Sequence, residues 1–128
     1  MIDFYANAVE AFSQEYTDDF IVHQIFFEES DPEAGGQSWN FSRSLGEDDD
    51  GVCTVKEIQQ AVVYDGILKF QISRVRLTCE FNGETARKTG TDRILIRYDL
   101  SDETWESVCA LAKLVFSDKP YFSISEAA

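Results

Sequence analysis

From residue 66 onward the apolar positions fall at every second residue: Leu68, Phe70 and Ile72, then Val75, Leu77, Cys79 and Phe81, then Ile94, Ile96 and Tyr98. Alternation puts successive side chains on opposite faces of a strand, so this run predicts a hairpin and a third strand that share one apolar face. From Ser101 the period lengthens, and Trp105, Val108, Cys109, Ala112, Val115 and Phe116 make one stripe at helical spacing. The pattern predicts an amphipathic helix lying as a lid over that sheet. Ser101 suits its N-cap, and Asp102, Glu103 and Glu106 place negative charge where the helix dipole is positive. Pro120 stops the helix, and Tyr121, Phe122 and Ile124 then form either a short edge strand or a packed tail.

The first half is less regular. Ile2 to Ala11 alternates loosely and reads as a strand, whereas Phe20 to Phe27 is apolar on both faces and predicts an interior strand covered on both sides. Residues 28 to 37 carry Glu28, Glu29, Asp31, Pro32, Glu33, Gly35 and Gly36 and predict a loop. Trp39 and Phe41 turn to one face of a short strand, and Gly46 to Gly51 is a second acidic loop. Val52 to Ile58 resumes as a strand, Gln59 to Asp65 is a bridge, and Gly83 to Thr91 is a polar connection. The turn at Ser73 and Arg74 lacks the glycine or Asn-Gly pair of a tight hairpin, which predicts a bulge or a longer turn. The expected architecture is α+β, with a single antiparallel-rich sheet of about six strands and one C-terminal amphipathic helix packed on one face. All 128 residues form one domain: acidic strands and loops over 1–65, the hairpin, strand and helix over 66–116, and a tail over 117–128.

Composition changes this picture chiefly through charge. The net charge is −13, and residues 1–66 account for all of it, with 15 Asp and Glu against Arg43 and Lys56. The remainder has 9 acidic and 9 basic side chains. A field of that sign repels nucleic acid and anionic membranes, and it favours either plain solubility or a basic protein partner. Cys53, Cys79 and Cys109 are odd in number and lie at apolar-face positions, which reads as reduced core thiols. The chain shows no cationic-then-apolar leader and no run of spanning length, so the expected location is the cytoplasm.

Candidate chemistry is thin. His23 is the only histidine and shares a face with Ile21, Ile25 and Phe27, the setting of a hydrogen-bonded core or edge histidine rather than a catalytic base. No Gly-x-Ser-x-Gly elbow, C-x-x-C or H-x-x-x-H occurs, so neither a serine-hydrolase elbow nor a paired-ligand zinc site is proposed. Aligning Gly51 with the invariant glycine of an EF-hand loop brings Asp48, Asp50 and Glu57 to ligand positions, but puts Gly46 first and strands on both flanks. The expectation is a solvated acidic turn without metal. G-E-T-A-R-K-T at Gly83 to Thr89 superficially resembles a phosphate loop, yet lacks the glycine before Lys88. No cofactor or catalytic residue is expected, and the chain reads as a non-enzyme.

Two surfaces remain. Lys69, Arg76, Arg93 and Arg97 fall on the outward face of the second-half strands, where an anion contact competes with simple offsetting of the acidic half. The expected partner-binding set is Glu28, Glu29, Asp31, Glu33, Trp39, Glu47, Asp48, Asp49 and Asp50: an aromatic-bearing strand framed by two carboxylate loops, laid out to dock a basic protein. Trp39 and Phe41 serve equally well as core. A homodimer stays open.

The run from Val52 to Phe116 resembles the immunity protein ten family of bacterial polymorphic-toxin systems. The resemblance lies in V-C-T-V-K-E-I-Q-Q, Y-D-G-I, the hairpin L-K-F-Q-I-S-R-V-R-L-T-C-E-F, a strand ending Y-D-L, and the helix S-D-E-T-W-E-S-V-C-A-L-A-K-L-V-F. Glu57, Gln59, Gln60, Tyr64, Gly66, Ser73 and Leu77 match the family outline, while Asp65 stands where a second glycine is common. The first 50 residues share only its strand-loop-strand rhythm. The resemblance implies a non-enzymatic cytosolic protein that binds and neutralises a cognate toxin. The alternatives are a nucleic-acid mimic that inhibits another DNA- or RNA-binding protein, and a small-ligand-binding domain.

Overall fold

At Ala6 and Asn7 the chain leaves one sheet and enters another, which splits the first apolar run into two strands. The computed structural model describes residues 1–46, 49–57 and 61–125, and in it β1 (Ile2–Tyr5) and β2 (Ala8–Thr17) belong to different sheets. After β2 come β3 (Phe20–Glu28), β4 (Ser38–Ser44), β5 (Cys53–Lys56) and β6 (Ala61–Tyr64), an antiparallel meander in the order β2-β3-β4-β5-β6. The chain then crosses back at Asp65 and Gly66. The rest is β7 (Ile67–Ile72), β8 (Arg76–Phe81), α1 (Gly83–Thr89), β9 (Arg93–Arg97), α2 (Asp102–Val115) and β10 (Phe122–Ile124). These strands form a sheet ordered β1-β9-β8-β7-β10, in which β1 and β10 run parallel to their neighbours.

The fold is therefore α+β, but the expectation of one sheet of about six strands is overturned: the described residues form two sheets of five strands each. Periodicity reports which face of a strand is apolar. It does not report which sheet the strand joins, and two sheets whose apolar faces meet give the same alternation as one sheet under a helix.

Aromatic pairs bridge the sheets. Phe27 stacks on Tyr98 at 5.7 Å between centroids, Trp39 on Phe81 at 5.6 Å, and Phe41 meets Phe70 edge-on at 5.2 Å. The helix α2 is capped by Ser101, whose hydroxyl accepts the Thr104 N–H at 3.1 Å, and it buries Trp105, Val108, Ala112 and Val115 as its spacing predicts. Its seat differs from expectation. Rather than roofing the sheet that precedes it in sequence, α2 lies closest to β2, β3 and β4, and Phe116 just beyond it reaches Phe70 at 4.1 Å.

Three local expectations also change. A bulge between Ile67 and Lys69 turns Ile67 inward and leaves Leu68 62% exposed, and Val75 lies in the turn before β8, also 62% exposed. Residues 83 to 89 are a helix, not a loop: the Asn82 side chain accepts from the Thr85 N–H and Gly90 closes the end at φ 83°. Finally, β3 is interior to its sheet but covered on one side only. Ile25 and Phe27 are fully buried, whereas Phe20, Val22 and Phe26 on the other face are half-buried.

Candidate functional site

The acidic loops do not converge. Residues 29–37 join β3 to β4 and residues 45–52 join β4 to β5, so they lie at opposite ends of the seven-residue β4, about 20 Å apart. In the first loop Glu28 is half-buried opposite Ala8 and Ser38, and the Glu29 carboxylate accepts the Gln37 N–H at 3.3 Å. Asp31 accepts the Glu33 N–H at 3.0 Å and so shapes the short 3-10 turn that follows, while the Glu33 side chain is exposed. Glu47 and Asp48 lie outside the described residues, and with them the middle of the second loop. Asp50 is exposed.

Trp39 is core. It is fully buried, its ring lies flat on Phe81 with an interplanar angle of 11°, and its indole N–H donates to Gln37 at 3.2 Å. The Lys56 ammonium sits 5.8 Å from the ring centroid. An indole so enclosed is unavailable as an interface anchor.

Asp49 has a structural partner that the sequence did not disclose. Arg43, 6% exposed on the inner face of β4, holds Asp49 from the second loop at 2.9 Å, Asp118 beyond α2 at 2.6 Å, and the Val115 carbonyl at 3.3 Å. Hydrogen bonds from the guanidinium hold both carboxyls below the usual carboxylate range and push the Arg43 pKa up. The only Lys or Arg of the first 55 residues thus ties the acidic loop to the end of the helix.

The outer face of the β2–β6 sheet is the larger surface of interest. Register places Phe12, Gln24, Ser42, Cys53 and Tyr64 in one row across the five strands, and Glu10, Phe26, Asn40, Val55 and Val62 in the next. Phe12 is 40%, Val62 48% and Tyr64 53% exposed, and Phe20, Val22, Phe26 and Val55 are half-buried. Beneath Tyr64 the Cys53 thiol is buried and its pKa is raised by desolvation. The expectation that Phe20, Val22 and Phe26 form a second covered face is overturned by the polar residues that share it: Gln24 on β3 itself, Gln14 and Ser44 opposite Val22, and Asn40 opposite Phe26.

The other sheet presents the opposite character. Lys69, Glu80 and Arg93 line up across its outer face, Arg76 stands directly opposite Arg97, and Asp3 pairs with Arg97 at 3.0 Å. The cationic stripe expected from alternation is therefore present as geometry, interrupted by two carboxylates. His23 is half-buried and its Nδ1 lies 2.7 Å from the Ser13 hydroxyl, a local contact between adjacent strands. Among the described residues no group of three or more His, Cys, Asp or Glu could hold a metal ion, and no helix is long and apolar enough to cross a membrane. The three cysteines are unbridged. No family model, curated protein or solved structure matches the chain, so its function is read from these two unlike sheet faces.

Proposed function

We propose that this chain is a non-enzymatic cytoplasmic protein that binds a basic protein partner and neutralises it by masking its basic or active surface, the role that the resemblance to toxin-immunity proteins implies. The observation that supports this reading most is the division of charge by sheet. Residues 8–64, the β2–β6 sheet and its loops, hold 13 Asp and Glu against Arg43 and Lys56, −11 of the chain's −13, and that sheet's outer face is half-exposed and rich in Phe, Val and Tyr. Aromatic and aliphatic side chains in the middle of a surface supply affinity, and carboxylates around it steer a cationic partner and reject an anionic one. Glu10 lies within the face, Asp50 beside Tyr64, and Glu28, Glu29, Asp31 and Glu33 at one end. In this arrangement the loop carboxylates act as a rim, and Phe12, Phe26, Val62 and Tyr64 take the anchoring role first expected of Trp39.

The test is neutralisation and binding of a basic toxin domain encoded beside this chain. Replacing Glu28, Glu29, Asp31 and Glu33 with Gln or Asn should slow association and flatten its salt dependence. Tyr64→Ser with Val62→Ser should instead speed dissociation. Unchanged kinetics in both variants would refute this use of the surface.

A further inference from the structure

We infer that the open edge of β2, walled by the first turns of α2, accepts an extended segment of the basic partner as an added strand. This rests on the reading of the chain as a binder of a basic protein and names the main-chain contact through which it holds that partner. β2 is ten residues long and ends its sheet, so one of its sides has no strand neighbour among the described residues.

The ladder fixes which of its groups face outward. The Glu29 N–H bonds to the Gln37 carbonyl at 2.8 Å, so the odd-numbered residues of β3, Phe27 and Ile25 among them, form the hydrogen-bonded pairs with β4. The even-numbered residues of β3 then bond to β2, through Glu10, Phe12 and Gln14. Val9, Ala11 and Ser13 are left to direct their N–H and C=O groups to the open side. A row of this kind templates another strand. No proline interrupts β2, and its register stays regular from Ala8 to Glu15.

A groove of about 320 Å³ runs along the edge, with Val9 to Phe12 on one side and Glu103, Thr104 and Ser107 on the other. Charge selects its occupant. β2 contains Glu10 and Glu15 and no Lys or Arg, and Glu103 stands on the facing wall. None of these three carboxylates pairs with a described cation. A second copy would lay two wholly acidic edges along one ladder, each on a chain of net charge −13, which cross-strand repulsion opposes. A strand with Lys or Arg at alternate positions presents them to one face of the ladder, where they meet Glu10 on the outer face or Glu15 on the inner one favourably, with Glu103 on the facing wall.

The experiment uses the full chain and a blocked peptide of alternating Lys and Val, about eight residues long. Three comparisons accompany it: the same peptide N-methylated at alternate amides, a Glu-Val counterpart, and the Ser13→Pro chain. The proline removes an outward N–H on an edge strand and leaves the β2–β3 ladder bonds in place. Amide NMR shifts centred on Val9, Ala11 and Ser13 are expected with the Lys-Val peptide. Affinity should fall roughly tenfold or more on N-methylation and on Ser13→Pro, and the Glu-Val peptide should not bind. Shifts confined to Phe26, Val62 and Tyr64, with affinity indifferent to N-methylation, would overturn strand addition and leave the basic-partner reading standing. Absence of Lys-Val binding anywhere on the chain would overturn both. Concentration-dependent dimerisation with shifts along β2 would show that the edge takes a second copy, and would also overturn the proposal. The N-methylated peptide acts on the unaltered chain, so the outcome does not depend on Ser13→Pro folding.

Discussion

A buried guanidinium is destabilising unless its donors are met, and Arg43 meets two carboxylates and a helix-end carbonyl. Removing one of those partners leaves an under-paired charge that is 6% exposed. Asp49→Asn should therefore cost about 1–3 kcal/mol in urea unfolding, while Asp50→Asn, one residue away and exposed, should stay within about 0.5 kcal/mol of the parent. Equal effects would show that the clamp does not contribute to stability. The same carboxylates set a pH dependence. Arg43 lowers the pKa of Asp49 and of Asp118 in the folded chain, so the unfolded chain binds protons more readily in the acid range. Their contribution is complete above the ordinary carboxylate pKa and is lost as the pH falls through the lowered values. Midpoints of urea unfolding measured across that range should fall towards acid in the parent, and less steeply in Arg43→Met. Thr54 is a converse case: it is fully buried and its hydroxyl has no partner among the described residues. Thr54→Val should raise stability by about 1 kcal/mol, measured as an upward shift of Tm.

Among the elements, α2 was the most legible, because the Ser101 cap and the apolar stripe agree, although the helix ends at Val115, ahead of the expected stop at Pro120. The alternation at Leu77, Cys79, Phe81, Ile94, Ile96 and Tyr98 was equally plain, and all six are buried. α1 was missed although both its ends carry signals, Asn82 before it and Gly90 after it. Its inward positions are Thr85 and Thr89, which composition counts as polar, and the Thr89 hydroxyl is satisfied by the Thr85 carbonyl at 2.8 Å. Trp39 illustrates the matching limit for the candidate site: parity placed it on a face, and only the arrival of Phe81 from the other sheet decided that the face is sealed. Glu29, Asp31 and Asp49 read as free carboxylates in sequence, yet each accepts hydrogen bonds from backbone or from Arg43. The join between sheets gives an element-scale prediction. A Cβ on Gly66 would fall inside contact distance of the Thr85 hydroxyl, so Gly66→Ala should push α1 off the sheet crossing. A loss of about 2 kcal/mol or more is expected, whereas Gly83→Ala, with open space around its Cβ, should leave the unfolding midpoint nearly unchanged.

For the whole molecule, charge largely follows sheet membership, the meander and its loops over residues 8–64 holding −11 of the −13, so the chain is electrically two-sided: acidic on the meander, mixed and arginine-bearing on the other sheet. The two sides are also unequal in how they are built. Every neighbour pair in the meander is consecutive in sequence, so β2 to β6 can pair as they are synthesised. The mixed sheet cannot. Its outermost strand β1 precedes the whole meander yet aligns Ile2 with Ile94 of β9, and β10 closes the far edge only after α2. β1 therefore waits, without a partner, until residues 93–97 have been made. Until then a short strand bearing Ile2 and Phe4 has no sheet to join, so the β1–β9 pairing is expected to form later than the meander in refolding, checked by amide-exchange protection of Phe4 appearing after that of Ile25.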